Sequence, residues 1–269
     1  MLRVGCVKYL NARPLIHGWE GDVEFDHPSV LCRRLAMGQL DVALVSSFEF
    51  LRNPIYWIVD DVSISSDGPV YSVVVAHSRE ITEIEEIELD PASDTSANLL
   101  HCLIAKRGLN PRLVQRSTAV GPVVAESETR RRAYLLIGDQ AVRFRQEYAN
   151  EFFFWDLGEQ WKELFGLPFI YAFWLIRPEV ADPKQIAKRL RDLRDENFAR
   201  LDCVIEEAVA AVGKPNQPKG VDHEFLSRYY REHLRFSFGE KEKGGLRIFA
   251  NLCIKHGLLP KRDLAFRIV

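Results

Sequence analysis

Long apolar runs, an excess of charge of either sign and clustered cysteines are all missing from this sequence of 269 residues. The longest apolar segment, residues 169–176, is far shorter than the ~20 residues that a membrane-spanning helix needs. The 36 Lys and Arg residues nearly balance the 38 Asp and Glu residues, so no overall positive field attracts nucleic acid. We therefore expect no interaction with a membrane and none with nucleic acid.

Sequence signatures of metal, nucleotide and hydrolase sites are also missing. The five cysteines are scattered and odd in number, which is typical of neither a zinc site nor a disulfide framework. No GxGxxG, GxxxxGK[ST], HExxH or GxSxG motif occurs, so we expect no metal and no cofactor. The first residues are already strand-like rather than a secretory leader. Reduced thiols and a cytoplasmic location are the corresponding predictions.

What the sequence does contain is an alternation of short apolar strands with helical patterns. Strands are predicted at 4–10, 23–25, 42–45, 87–89, 135–137 and 152–155, with helices between them. Such alternation is typical of a mostly parallel sheet covered by helices, that is, of the α/β class. After Arg177 the pattern becomes helical down to Gly213, and a second helical stretch from Asp222 breaks at Gly244 and Gly245.

Two apolar strands, each introduced by a proline, indicate how the chain is divided. Val70–Ala76 and Phe169–Ile176 enclose about a hundred residues that form an α/β unit of their own. We predict two lobes: lobe 1 from residues 1–72 and 171–269, and lobe 2 from residues 73–170 inserted into it. The cleft then lies between the lobes at a two-strand hinge. Ligands bind at the carboxyl ends of parallel strands in such folds.

Polar side chains at the ends of the predicted strands are the candidates for this cleft. Asn11, Ser46 and Asp139 each follow a strand, where each could equally cap a helix. Residues 93–96 precede a helix and offer hydroxyls and free N–H groups at its positive end, which suits a carboxylate or phosphate. Ser72 lies in a hinge strand with no helix to cap, so it faces either the core or the cleft. These features predict a small organic anion held between two lobes, without separating binding from catalysis.

Several stretches, in order along nearly the whole chain, resemble the chorismate dehydratases of the futalosine route to menaquinone, which are relatives of the type II periplasmic binding proteins. These stretches are Tyr9–Leu15, Gly38–Leu44, Asp67–Ser72, Leu89–Ser96, Leu136–Ala141, Asp156–Trp161, Gly166–Phe169, Tyr229–Tyr230, Leu234–Phe238, Gly245–Leu246 and Phe249. The resemblance implies a type II periplasmic-binding-protein-like fold with a central cleft.

The resemblance also implies a reaction. Chorismate loses water to give 3-[(1-carboxyvinyl)oxy]benzoate, and the ring becomes aromatic, so neither a metal nor a redox cofactor is needed. By family position Asn11 and Ser72 lie nearest the chemistry, and no side chain stands out as the general base. The implied substrate-binding residues are Ser46, Ser93, Thr95, Ser96, Gly138 and Asp139. The implied partner is chorismate alone, bound by a monomer or a homodimer.

One departure and two alternatives accompany this resemblance. Asp94 stands where the family usually has Arg, and an anion there weakens a carboxylate site, so either Asp94 points away or the ligand's charge is met elsewhere. The first alternative is a non-catalytic small-anion-binding protein of the same fold. The second is the later pathway enzyme that makes 1,4-dihydroxy-6-naphthoate, which opens with Cys-Pro-Asn-Asp where this chain has Tyr-Leu-Asn-Ala-Arg-Pro.

Overall fold

The computed structural model describes residues 2–116, 131–211, 221–263 and 265–269. Its strands are β1 (Val4–Val7), β2 (Val23–Asp26), β3 (Val42–Ser46), β4 (Trp57–Ser66), β5 (Val73–His77), β6 (Glu86–Leu89), β7 (Arg112–Gln115), β8 (Arg132–Ile137), β9 (Phe153–Asp156) and β10 (Phe169–Ile176). Its helices are α1 (Arg13–Ile16), α2 (Pro28–Ala36), α3 (Ser47–Arg52), α4 (Asp94–Arg107), α5 (Gly138–Glu147), α6 (Leu157–Phe165), α7 (Pro183–Ala199), α8 (Leu201–Ala211), α9 (His223–Arg228) and α10 (Glu240–Lys255). A short 3-10 turn, Leu10–Ala12, and a π-helical turn, Tyr229–His233, matter for the site.

The described strands form two five-stranded sheets with the same internal order. Sheet 1 runs β2-β1-β3-β10-β4 and sheet 2 runs β7-β6-β8-β5-β9. In each sheet the first three strands are parallel, while the fourth pairs antiparallel with both of its neighbours. The sheets are therefore mixed: four of the five strands in each run in one direction, as predicted for a mostly parallel sheet, and one strand is reversed. The reversed strands are β5, the first strand after the chain enters sheet 2, and β10, the first strand after it returns to sheet 1.

The chain passes between the sheets twice, at 67–72 and at 166–168. The predicted strand Phe169–Ile176 is confirmed, but the strand predicted from Val70 begins only at Val73. The Asp156 carboxylate explains the difference, because it accepts hydrogen bonds from the backbone N–H groups of Val70 (3.0 Å) and Tyr71 (2.8 Å). Those groups are then unavailable to a strand ladder. The lobe limits at 72/73 and 170/171 stay a prediction.

Strand β4 is the longest strand of the described chain and escaped the sequence analysis. It carries Ser63, Ser65 and Ser66, all buried, which breaks the apolar pattern of a core strand. The segment after the π turn supplies the partners: Ser65 N–H donates to Arg235 O at 2.9 Å, and the Ser63 hydroxyl donates to Ser237 O. The hydroxyl groups of Ser63 and Ser65 thus find their hydrogen-bond partners roughly 170 positions further along the chain. No local sequence pattern reveals such partners.

Helix α10 runs without a break through Gly244 and Gly245, contrary to the predicted interruption. Gly245 is needed for packing rather than for bending. A Cβ atom at this position would lie 2.1 Å from the carbonyl oxygen of Pro168, so the helix approaches the second passage between the sheets more closely than any side chain allows. The predicted helical stretch ending at Gly213 is confirmed as α7 and α8 through Ala211, and Gly213 itself lies outside the described residues.

Alternate residues of β5 face two different sides of sheet 2. Val73 and Val75 belong to the large core that spans both sheets, whereas Val74 and Ala76 belong to a smaller cluster with Phe144 of α5. This alternation follows from the two-residue period of a strand, and it covers sheet 2 on both faces. In the described part of the chain, no helix is both long and apolar enough to cross a membrane.

Candidate functional site

A narrow cavity of about 60 Å³ lies between the two sheets, and six of the eight predicted site residues line it. Its described lining carries no Asp, Glu, His, Lys or Arg side chain, so every polar group there is neutral. The predicted residues that contribute to it are Asn11, Ser46, Ser72, Ser93, Ser96 and Gly138, and the other polar side chains are those of Tyr9 and Tyr171. The structure thus brings together residues that are far apart in sequence.

Asn11 sits in the 3-10 turn that follows β1 and does not cap a helix. The capping position of that turn is Tyr9, and no side chain there accepts a capping hydrogen bond. The Asn11 amide oxygen is buried and makes no hydrogen bond to the described residues. A buried acceptor without a partner costs about 1–3 kcal/mol. Such an atom on a cavity wall is therefore a ready acceptor for a ligand.

Ser72 ends the first passage between the sheets and is held by two hydrogen bonds. Its hydroxyl oxygen accepts a hydrogen bond of 2.6 Å from the Tyr229 hydroxyl, and its carbonyl accepts one of 2.8 Å from Gly138 N–H. The preceding residue, Tyr71, has a φ of +68°, a conformation that a bulky side chain rarely adopts. The Asp156 carboxylate binds the Tyr71 N–H and so helps to maintain it. The Ser72 side chain consequently projects from a fixed backbone.

The N-terminus of α4 meets β3 across the cleft. Ser93 caps α4, since its hydroxyl oxygen accepts from Ser96 N–H at 3.2 Å. Ser46 precedes α3 without capping it, and its hydroxyl shares a short hydrogen bond with that of Thr95. Thr95 does not line the cavity, and its oxygen also accepts a hydrogen bond from Phe48 N–H at 3.0 Å. Thr95 therefore ties the two lobes together, while Ser93 and Ser96 face the cavity.

Asp139 joins the lobes instead of capping its own helix. One carboxylate oxygen accepts a hydrogen bond of 2.8 Å from the backbone N–H of Leu10, the residue before Asn11. Burial raises the pKa of this carboxyl to about 7, although the Leu10 hydrogen bond opposes the rise. Asp139 lies outside the cavity and holds Leu10, the residue before Asn11, so that it fixes the turn that carries Asn11.

Asp94 points to Arg52 of α3 rather than into the cavity. The Arg52 guanidinium lies 2.9 Å from the Asp94 carboxylate, and both side chains are 45% exposed. Arg52 also pairs with the buried carboxylate of Glu49 at 2.6 Å. The negative charge of Asp94 is therefore paired with the guanidinium of Arg52 from the opposite lobe. Asp94 does not line the cavity.

Sequence reasoning missed two consecutive tyrosines that support the site. Tyr229 binds Ser72, and the hydroxyl of Tyr230 donates to the carbonyl of Leu10 at 2.8 Å. Both lie in the π-helical turn. The sequence analysis names Tyr229 and Tyr230 only as one of the stretches that carry the family resemblance and gives them no role in the site, because helical periodicity points neighbouring residues in different directions. Among the described residues, no group of His, Cys, Asp and Glu side chains is arranged to hold a metal ion.

Comparisons with known proteins agree with this architecture. The family model described as menaquinone biosynthesis matches residues 2–255. The chain is 29% identical to a chorismate dehydratase from Thermus thermophilus, in an alignment that covers 92% of this chain and 93% of the relative. It is 24% identical to a chorismate dehydratase from Campylobacter jejuni, in an alignment that covers 91% of this chain and 90% of the relative.

A solved structure gives the fold. The periplasmic aliphatic sulphonate binding protein SsuA from Escherichia coli superposes with a TM-score of 0.65 at 12% identity, covering 98% of this chain and 94% of that one. The predicted fold class, a two-lobe periplasmic-binding-protein-like α/β fold, is thus confirmed. With nearly the whole chain matched by the family model, this protein belongs to the menaquinone biosynthesis family.

Proposed function

We propose that this protein is a chorismate dehydratase, a hydro-lyase that converts chorismate to 3-[(1-carboxyvinyl)oxy]benzoate and water in menaquinone biosynthesis. The relatives named chorismate dehydratase and the family match support this activity. The structural observation that carries the proposal is that Asn11 and Ser72 line the same cavity, whose polar side chains are all neutral. Both residues are fixed through their backbones.

The proposed mechanism gives Ser72 a hydrogen bond to the substrate's departing hydroxyl group and gives Asn11 the orientation of the substrate; Ser72 keeps its own proton throughout. Because Ser72 already accepts a hydrogen bond from Tyr229, its own hydroxyl hydrogen is available to the substrate's departing hydroxyl group. The Asn11 amide N–H then donates to the ether oxygen of the enolpyruvyl group on the neighbouring carbon, which loses its proton, while Asn11 Oδ1, the buried acceptor without a partner, accepts from the departing hydroxyl group. Donors aimed at developing charge in a site without bulk water lower the barrier more than they do in water.

The proton acceptor in this proposal is a carboxylate of the substrate. None of the described residues that line the cavity has a carboxylate or an imidazole, and Asp139 is engaged with Leu10 N–H behind the site. Chorismate carries two carboxylates of its own. One of them is proposed to rest against the hydroxyls of Ser93 and Ser96 at the positive end of α4. The other is then free to take the proton from the ring carbon and to pass it to the departing hydroxyl group, so that the C–O bond breaks with release of water and both carboxylates are ionised again.

Ligand entry in this proposal requires the lobes to move apart. A cavity of about 60 Å³ is well below the ~300 Å³ at which ligand pockets begin. The contacts that must break are those between Thr95 and Ser46, between Asp94 and Arg52 and between Asp139 and Leu10. Closure around the substrate then excludes water from the reacting atoms.

The test is incubation of the purified, metal-free protein with chorismate, followed by mass spectrometry and absorbance measurements. We expect a product lighter by one water, with a benzoate absorbance. Asn11→Ala and Ser72→Ala should each lower kcat by at least tenfold, whereas Ser65→Ala, which removes a buried hydroxyl hydrogen-bonded to Arg235 O, should not.

Two outcomes would contradict the proposal. Unchanged chorismate together with a ligand-induced rise in Tm would favour the binding protein without chemistry. Full turnover by both Asn11→Ala and Ser72→Ala would remove these residues from the mechanism. The cytoplasmic location and the state as a monomer or homodimer stay predictions.

A further inference from the structure

We infer that Tyr229 is a positioning residue for the reaction, which sets the direction in which the Ser72 hydroxyl donates its hydrogen bond to the substrate. This inference rests on the proposed function, because it concerns the donor role of Ser72. It adds a residue that touches neither the cavity nor the reacting atoms and acts only through Ser72.

The geometry of the pair carries the inference. The Tyr229 hydroxyl donates to Ser72 Oγ at 2.6 Å, and both side chains are 1% exposed, so no bulk water competes for either group. A serine hydroxyl has one hydrogen and two acceptor lone pairs. With one lone pair occupied by the phenol, the hydrogen of Ser72 must point elsewhere. The cavity that Ser72 lines is the open direction.

The phenol keeps its proton and therefore keeps its role as donor. Burial raises the pKa of Tyr229 well above its usual value; the hydrogen bond with Ser72 opposes this rise, and the nearby carboxylates of Asp139 and Asp156 add to it. A phenolate would reverse the pair, since Ser72 would then donate to Tyr229 and not to the substrate. Burial of Tyr229 thus preserves the proton that its hydrogen bond to Ser72 requires.

The support behind Tyr229 is rigid. Its ring stacks on Phe225 with ring centroids 5.6 Å apart, and the π-helical turn ends at His233, whose ring lies 5.5 Å from that of Tyr71. His233 Nδ1 also lies 3.2 Å from the carbonyl oxygen of Pro69. The π turn and the passage that carries Ser72 therefore hold each other at several points. π-helical turns occur frequently at functional sites.

The experiment is the steady-state kinetics of Tyr229→Phe with chorismate. We expect kcat to fall by about tenfold, as for the loss of one hydrogen bond, with KM changed less than twofold because the phenol does not touch the substrate. Tyr56→Phe is the matched control: it also removes a fully buried phenol hydroxyl, one that donates to Glu49 at 3.3 Å, and it should leave kcat within twofold.

The same substitution in a Ser72→Ala background separates positioning from stability. If Tyr229 acts through Ser72, the double variant has the same kcat as Ser72→Ala alone. A merely structural role would lower kcat by the same factor in both backgrounds, and that result would overturn the inference, as would full kcat in Tyr229→Phe while the unaltered protein turns over chorismate. No turnover by the unaltered protein would instead overturn the proposed function, and the inference with it.

Discussion

The buried carboxyl of Asp139 should make the stability of this protein depend strongly on pH. Burial raises its folded-state pKa from 3.8 to about 7. A carboxyl whose pKa is raised by folding favours the folded state fully below the unfolded pKa, and this contribution is lost as the pH rises through the folded pKa. The difference of about 3 pKa units corresponds to about 4 kcal/mol. The free energy of unfolding should therefore fall by up to that amount between pH 4 and pH 7.

Asp139→Asn tests this reasoning, because the amide has the same shape, carries no charge and can still accept the hydrogen bond from Leu10 N–H. Urea unfolding at pH 4, 5, 6, 7 and 8 should show the variant equal to the unaltered protein at pH 4. It should be about 4 kcal/mol more stable at pH 8. Asp22→Asn, at an exposed position, serves as the control and should follow the unaltered protein throughout. A constant difference across this range, or a variant that is less stable at pH 8, would refute the argument.

Three further substitutions have clear expected outcomes. Asp156→Ala removes a carboxylate that accepts from four backbone N–H groups, so the free energy of unfolding should drop by about 3 kcal/mol or more, measured by urea denaturation. Gly245→Ala places a Cβ atom 2.1 Å from Pro168 O, so Tm should fall by an amount equivalent to about 2 kcal/mol; an unchanged Tm would contradict this packing. Asp94→Ala breaks only the exposed ion pair with Arg52, so stability should change by less than ~1 kcal/mol and the KM for chorismate by less than twofold.

The site residues that could be predicted from the sequence are those whose position follows from a strand end. Asn11 and Ser46 stand where a short apolar run stops, Ser93 stands in the loop that leads from such a run into α4, and the sheets bring these ends together. The sequence does not determine which of these side chains caps a helix. In the structure Ser93 caps α4, whereas Asn11 and Ser46 cap no helix. Capping depends on backbone angles that residue type alone does not determine.

What the sequence could not reveal are the contacts between distant segments. Tyr229 reaches Ser72 across 157 positions, and Leu10 reaches Asp139 across 129. Sequence patterns are read over about ten neighbouring residues, and contacts between residues so far apart leave no signal in them. The same holds for Gly245. Its local sequence predicts a helix break, whereas the structure requires a glycine there because helix α10 lies so close to the backbone of Pro168.

The position of β10 within sheet 1 has a consequence for the order in which the molecule assembles. This strand lies between β3 and β4, yet all of sheet 2 precedes it in the chain. Until β10 is made, β4 has no neighbour in sheet 1, and its pairing must close a loop of roughly a hundred residues. Sheet 2, by contrast, uses one continuous stretch of chain. Since non-local pairings form late, we expect sheet 2 to fold first and the cleft to be completed last, when β10 enters the gap.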